Sequence, residues 1–201
     1  MDSVGLDALL LKARRRDPAA LAAIVEAYSR RVFGLLFRLT GSRDTAEDLT
    51  QETFLRLVRT IEEYQHDGRF EAWLFRIASN LVRDQARQRK RRGPTMALDA
   101  PDEDGESAAA NVADAGLNEP AAATVDREDE RRLLACIEEL PESDREILLL
   151  RHYSQLSFRE IAEMLNIPLG TALARAHRAV QKLREGMGEA GVKGSRGQGA
   201  A

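Results

Sequence analysis

Apolar residues recur at three- and four-residue intervals through most of this chain, and no stretch shows the alternation that a half-buried strand requires. An amphipathic helix is predicted from the start to about Arg16. Asp17-Pro18 then opens a second, with Asp as N-cap and Pro in the first turn. Its stripe runs through Leu21, Ile24, Val25, Tyr28, Val32, Leu35, Leu36 and Leu39 and closes at Thr40-Gly41. A third helix is predicted from about Asp44, with Glu47 at capping-box spacing. Ala46, Leu49, Thr53, Leu57 and Ile61 form its inner side, flanked by Phe54 and Val58. A fourth carries Phe70, Trp73, Leu74, Ile77, Ala78, Leu81 and Val82, a stripe wide enough to face a core. From Gly93 to about Asp126 the periodicity vanishes, and it returns over residues 127–187. The pattern predicts an all-α fold: two small helical bundles, 1–92 and 127–187, joined by a disordered linker over 93–126 and followed by a disordered tail over 188–201.

The most specific local pattern is SFREIAEMLNIPLGTALARAHRAVQKL at 157–183. Ser157 and Glu160 form a capping box, and Leu156 and Ile161 can close a hydrophobic staple around it. Asn166 tolerates a left-handed backbone and Pro168 stops the helix. Gly170 and Thr171 open a second helix that bears Arg175, Arg178, Lys182 and Arg184, while the small Ala162 permits a close crossing. This is a helix-turn-helix whose second member enters the major groove.

Composition sharpens the division. The chain has 201 residues and a formal charge of −3, unevenly spread. Residues 1–92 hold 18 Lys/Arg against 13 Asp/Glu, 93–126 hold eight acids and no base, and 127–187 hold ten bases and eleven acids. A basic front, an acidic middle and a mixed rear imply different partners. The acidic stretch lacks the apolar side chains needed to offset its ordering entropy. Cys136 is the single cysteine and lies in the apolar run Leu133, Leu134, Ile137, so it is read as a core thiol, with no disulfide framework or cysteine-based metal site. No signal peptide or membrane span is visible, and a cytoplasmic setting is expected. The histidines His66, His152 and His177 are scattered, and no phosphate loop or catalytic triad pattern is found. No enzyme, cofactor or metal is expected.

Two polar faces stand out in the front bundle. Asp48, Gln51, Glu52, Leu55, Arg56 and Arg59 share one outward side of the third helix, and Arg76, Asn80, Arg83, Arg87 and Lys90 line the fourth. The second stripe is opposed only by Asp84, and such a stripe can neutralise phosphates and release counterions.

AEDLTQETFLRLVR (46–59), FEAWLFRIASNLVRDQARQRKRR (70–92) and LPESDREILLLRHYSQLSFREIAEMLNIPLGTALARAHRAVQKLRE (140–185) together resemble the ECF sigma factors of the sigma-70 family, which direct bacterial RNA polymerase to promoters and assist DNA melting. The resemblance covers about two-thirds of the chain. It implies a region 2-like front and a region 4-like rear, with core RNA polymerase (clamp helices and flap), promoter DNA and an anti-sigma factor as partners. By that likeness Asp48, Gln51, Glu52 and Leu55 would contact core polymerase, with Phe54 packing inward. Trp73, Arg76, Asn80, Arg83 and Arg87 would engage the −10 element, although the stripe shared with Leu74 and Ile77 favours a core role for Phe70 and Trp73. Thr171, Arg175, Arg178 and Lys182 would engage the −35 element.

The match is imperfect where the family usually reads GTVKSR. Here Ala172 stands for a β-branched residue, Leu173 for a cation and Ala174 for a hydroxyl, which implies weaker or altered −35 recognition. The linker lets both bundles engage one promoter when stretched: as a coil it spans roughly 30–35 Å, and extended it reaches at most ~110–120 Å, against about 70 Å for two turns of DNA. Two other readings compete. An ordinary helix-turn-helix regulator would account for 157–183 but not for the front motifs. A polymerase-binding decoy without initiation activity would account for the depleted recognition helix.

Overall fold

The structure, a computed structural model, describes residues 3–65, 68–92 and 127–194. Eight helices and no strand occur among them: α1 (Ser3–Arg14), α2 (Pro18–Thr40), α3 (Arg43–Thr60), α4 (Phe70–Arg92), α5 (Arg127–Glu138), α6 (Glu142–Ser154), α7 (Phe158–Leu165) and α8 (Leu169–Gly194). The sequence-predicted linker over 93–126 lies outside the described residues.

Local chemistry sets most of the boundaries. Asp17 caps α2 through its side chain to the Ala20 amide, and Gly41 ends it in the left-handed conformation. That backbone, at φ +68°, favours glycine and lets the Gly41 amide reach the Phe37 carbonyl. The N-cap of α3 is Ser42 rather than a residue near Asp44: its hydroxyl accepts from the Thr45 amide, while Glu47 pairs with Arg43 at 2.9 Å. Both Ser42 and Asp44 have capping chemistry, and the earlier one wins because Arg43 and Asp44 are already helical. At the other end, α8 continues past Met187 to Gly194, into the segment expected to be a disordered tail. Gly186, Gly188 and Gly191 weaken this last part but no proline breaks it.

In the front bundle α2 packs against α1, α3 and α4, with Ile24, Val32, Leu35, Leu36, Leu57, Phe70 and Leu74 fully buried between them. In the rear bundle α8 packs against α5, α6 and α7. Small residues govern that crossing: Ala162 on α7 and Ala172 and Ala176 on α8 are all buried, which lets the two helices approach. Cys136 is half-buried beside Gly186, where an added Cβ would lie 2.7 Å from its sulfur.

The bundles are also packed on each other, through α2 with α6 and α4 with α6 and α7. Arg31 from α2 donates through Nε to the Tyr153 carbonyl (2.7 Å) and through Nη2 to the Ser154 carbonyl (2.9 Å). These are orphan acceptors at the C-terminus of α6, where a cation is also favoured by the helix dipole. The same guanidinium lies over the rings of Tyr28 and Phe75, at 5.3 and 5.4 Å. Gly34 on α2 faces the Tyr153 ring so closely that a Cβ there would come within 2.4 Å of it.

Candidate functional site

Three surfaces carry the residues singled out from the sequence. The first is the outward side of α3. Asp48 and Gln51 are exposed, and Leu55 is 50% exposed, a large aliphatic side chain on an otherwise polar face. Glu52 is half-buried and held by Arg56 at 2.8 Å, one turn along the helix. Phe54 packs inward, as its flanking position implied. The four residues therefore share one patch, acidic with an apolar centre, and α3 keeps it rigid by burying Ala46, Leu49, Thr53 and Leu57 on its other side.

The second surface is α4. Phe70 is fully buried and Trp73 half-buried, the two rings 5.9 Å apart, with the Tyr64 ring tilted against Trp73 at 4.7 Å. Arg76, Asn80 and Arg87 are exposed, and Arg87 lies 3.5 Å from Asp84. Part of this face is covered by the rear bundle. Arg69 donates to Glu163 at 2.7 Å, Arg76 reaches the Glu163 carbonyl at 3.4 Å, and Arg83 pairs with Glu146 at 2.8 Å. A cleft of about 370 Å³ remains between Tyr64, Trp73 and Arg76 on one side and Glu160, Glu163 and Met164 on the other. Glu146 is largely buried; desolvation pushes its carboxyl above the usual carboxylate range, opposed by the charges of Arg83 and Arg175.

The third surface is the helix-turn-helix. The predicted capping box is formed in both directions: the Ser157 hydroxyl accepts from the Glu160 amide, and the Glu160 carboxylate accepts from the Ser157 amide at 2.8 Å. The Ser157 hydroxyl, which also donates to the Glu160 carboxylate at 2.6 Å, and then the Ser157 amide hold that carboxyl below its ordinary value. Asn166 ends α7 at φ +54°, and α8 follows within three residues. On α8, Ala172, Ala176 and Ala179 are buried, so Leu173, Ala174 and His177 turn outward. Thr171 and Arg175 are half-buried, and Lys182 is exposed. Arg178 makes a two-pronged ion pair with Asp144 on α6, Nε to Oδ2 at 3.0 Å and Nη2 to Oδ1 at 2.8 Å. The Asp144 side chain is only 3% exposed, and its hydrogen bonds, with its charge adding to them, raise the pKa of the guanidinium further.

Asp144, Glu146, Glu163 and Arg31 are the residues that the pattern reading overlooked. Asp144 had a signal: it occupies the stripe of Ile147, Leu150 and Ser154 on α6, where an acid requires a buried partner. The other three act across the two bundles, and no spacing within one helix indicates that. No group of residues able to hold a metal ion occurs among the described residues, and no described helix is long and apolar enough to cross a membrane.

Comparison with known proteins gives one consistent result. Sigma-70 region 2 matches residues 24–92, and Sigma-70, region 4, matches residues 130–183. The ECF RNA polymerase sigma factor SigW of Bacillus subtilis is 35% identical over 86% of this chain and 91% of its own length. The ECF RNA polymerase sigma factor SigE of Mycolicibacterium smegmatis is 36% identical over 84% of this chain and 63% of its own. Among solved structures, the sigma factor RpoE of Bartonella quintana, in complex with the anti-sigma factor NepR, aligns with a TM-score of 0.62 at 22% identity. That alignment covers 83% of this chain and 95% of the other, and at this identity the likeness is one of fold.

Proposed function

The chain belongs to the ECF RNA polymerase sigma factors of the sigma-70 family and acts in transcription initiation, and from that premise we propose how the work is divided among its surfaces. The α3 patch of Asp48, Gln51, Glu52 and Leu55 docks on core polymerase, with Leu55 filling an apolar depression inside a polar rim. That is the pattern by which a small, desolvated centre carries most of an interface. The α4 face engages the −10 element: Arg76, Asn80, Arg83 and Arg87 take phosphates and base edges of the separated strand, and Trp73 backs the cleft where an unstacked base can sit. The α7–α8 unit engages the −35 element, with Thr171, Arg175, Arg178 and Lys182 on the side that approaches phosphates.

The observation that supports this division best is the exposure of Asp48, Gln51 and Leu55 together on a helix whose other side is fixed in the core. Promoter engagement further requires the bundles to part. Two elements about 70 Å apart cannot be gripped while Glu146 and Glu163 occupy Arg83 and Arg69. An anti-sigma factor is the partner that would act on that equilibrium, as one accompanies the Bartonella quintana relative. The protein works in the cytoplasm, binds rather than catalyses, and needs no cofactor. Melting draws on binding free energy.

Run-off transcription tests the reading. The purified chain, added to core polymerase and a promoter template, should yield a specific transcript, and Leu55→Asp should abolish it. Co-purification with polymerase without any transcript would leave a decoy; failure to bind polymerase would leave an ordinary helix-turn-helix regulator.

A further inference from the structure

The exposed side chains of the first two turns of α8 are not the ones that ordinarily read guanine. Leu169 and Leu173, one turn apart, are 43% and 46% exposed, and Val180 continues the same flank at 37%. In the first two turns only the small Gly170 and Ala174 lie between this flank and the cationic one, with His177 a turn further along, so nothing bulky stands beside Leu169 and Leu173. The arginines are committed elsewhere: Arg178 is clamped by Asp144, and Arg175 is half-buried on the side of the Glu146 charge. An apolar flank of this size on a helix that enters a DNA groove has one complementary feature there. Thymine alone presents a methyl group in the major groove, whereas the other base edges offer only hydrogen-bonding groups that a leucine would desolvate without compensation.

We propose that the rear bundle reads its upstream promoter element through thymine methyl groups packed against Leu173 and Leu169, so that A·T pairs rather than guanines define the element. Arg178, held in place by Asp144 yet half-exposed, serves as a fixed phosphate contact on the neighbouring strand, together with Lys182. Ala174 gives the helix the depth it needs, because a larger residue would hold Leu173 away from the base edge. The flank runs on through Val180 to Arg184 and meets the cationic side of Arg178 and Lys182 across the small Gly170 and Ala174, which favours nucleic acid over a protein partner. This inference rests on the assignment of the rear bundle to promoter recognition.

The test uses the full chain assembled with core polymerase. Duplexes are first selected from a library randomised over about one helical turn, roughly ten base pairs, upstream of a fixed −10 region. The selected segment is then resynthesised with deoxyuridine for thymidine, which removes only the C5 methyl, and affinities are compared by competition. Each contacted methyl removed should weaken binding roughly fourfold. Leu173→Ala should bind the thymidine duplex more weakly by a similar factor, and Leu169→Ala/Leu173→Ala should no longer distinguish the two duplexes. Selection of a guanine-defined element, or equal affinity for the two duplexes, overturns the inference while leaving promoter recognition by this bundle intact, and assigns the leucine flank to a protein. A library that yields no enriched upstream sequence overturns the parent assignment itself.

Discussion

The two bundles bury their apolar stripes in the same way and differ in what their outward side chains are doing. On α3 the polar residues face solvent with Leu55 among them, and the two glutamates that are tied down, Glu47 and Glu52, are held by neighbours on their own helix. On α8 Arg178 is turned back toward Asp144 of α6, and Leu169 and Leu173 are among the exposed side chains. A count of basic residues along α8 therefore overstates its free positive charge, whereas the ion pairs of α3 lie within the helix and leave Asp48 and Gln51 exposed. The front bundle is built as a ready contact. The rear bundle is built as a rigid one, its guanidinium placed by Asp144 before any partner arrives.

That contrast can be broken at four points. The largest effect is expected for Leu55→Asp, which places a charge at the centre of the α3 patch. Binding to core polymerase should fall at least tenfold to a hundredfold, about 1.4–3 kcal/mol on the scale of interface hot spots, with melting temperature unchanged because half of Leu55 is already solvated. Fluorescence anisotropy with labelled polymerase measures it, and unchanged affinity would mean that α3 presents nothing. Next, Asp144→Ala should lower the melting temperature by several degrees and release Arg178. A shallower dependence of DNA affinity on salt is then expected, because the phosphate contact that Asp144 holds in place is lost. If the salt slope stays put, Arg178 was never restrained in a way that matters.

Smaller changes sharpen the comparison. Ser157→Ala removes the hydroxyl half of the capping box and should cost about 1 kcal/mol, confined to the rear bundle. Calorimetry should then show the rear bundle melting earlier while the front is unmoved, and a uniform shift would mean that the two unfold as one body. The smallest effect concerns Glu146. Because burial raises its carboxyl pKa, the folded chain favours the protonated form. The corresponding stability is complete below the ordinary glutamate range and is lost as pH rises through the raised value. Denaturant midpoints should therefore decline from acidic toward neutral pH in this window, and Glu146→Gln should flatten the decline. A steeper decline in the variant would refute the placement of that carboxyl.

Much of this was legible in the sequence because it is local. Asp17-Pro18, Gly41, the box of Ser157 and Glu160 and the left-handed Asn166 are each specified within four residues, and all four occur as read. The inner sides of α3 and α4 followed from period alone. Phe75 escaped, although it is fully buried, because it lies off the main stripe of α4 on the flank that Arg31 covers. Arg83, by contrast, lies on the outward stripe as expected. Periodicity says which way a side chain points; whether a second bundle supplies it with Glu146 depends on how the two halves dock. The rear bundle illustrates the same limit, since Arg178 and Asp144 are brought together from helices separated by the whole of α7.

Gly34 sits in the interior of α2, where alanine would strengthen the helix by up to ~1 kcal/mol. Its missing side chain leaves a notch that the Tyr153 ring fills, so one hydrogen atom at this position sets how deeply the rear half seats. A single methyl group there would act as a wedge: the front half would gain helical stability while its grip on the other half was prised apart. Fold strength and closure are thus set against each other at one Cα.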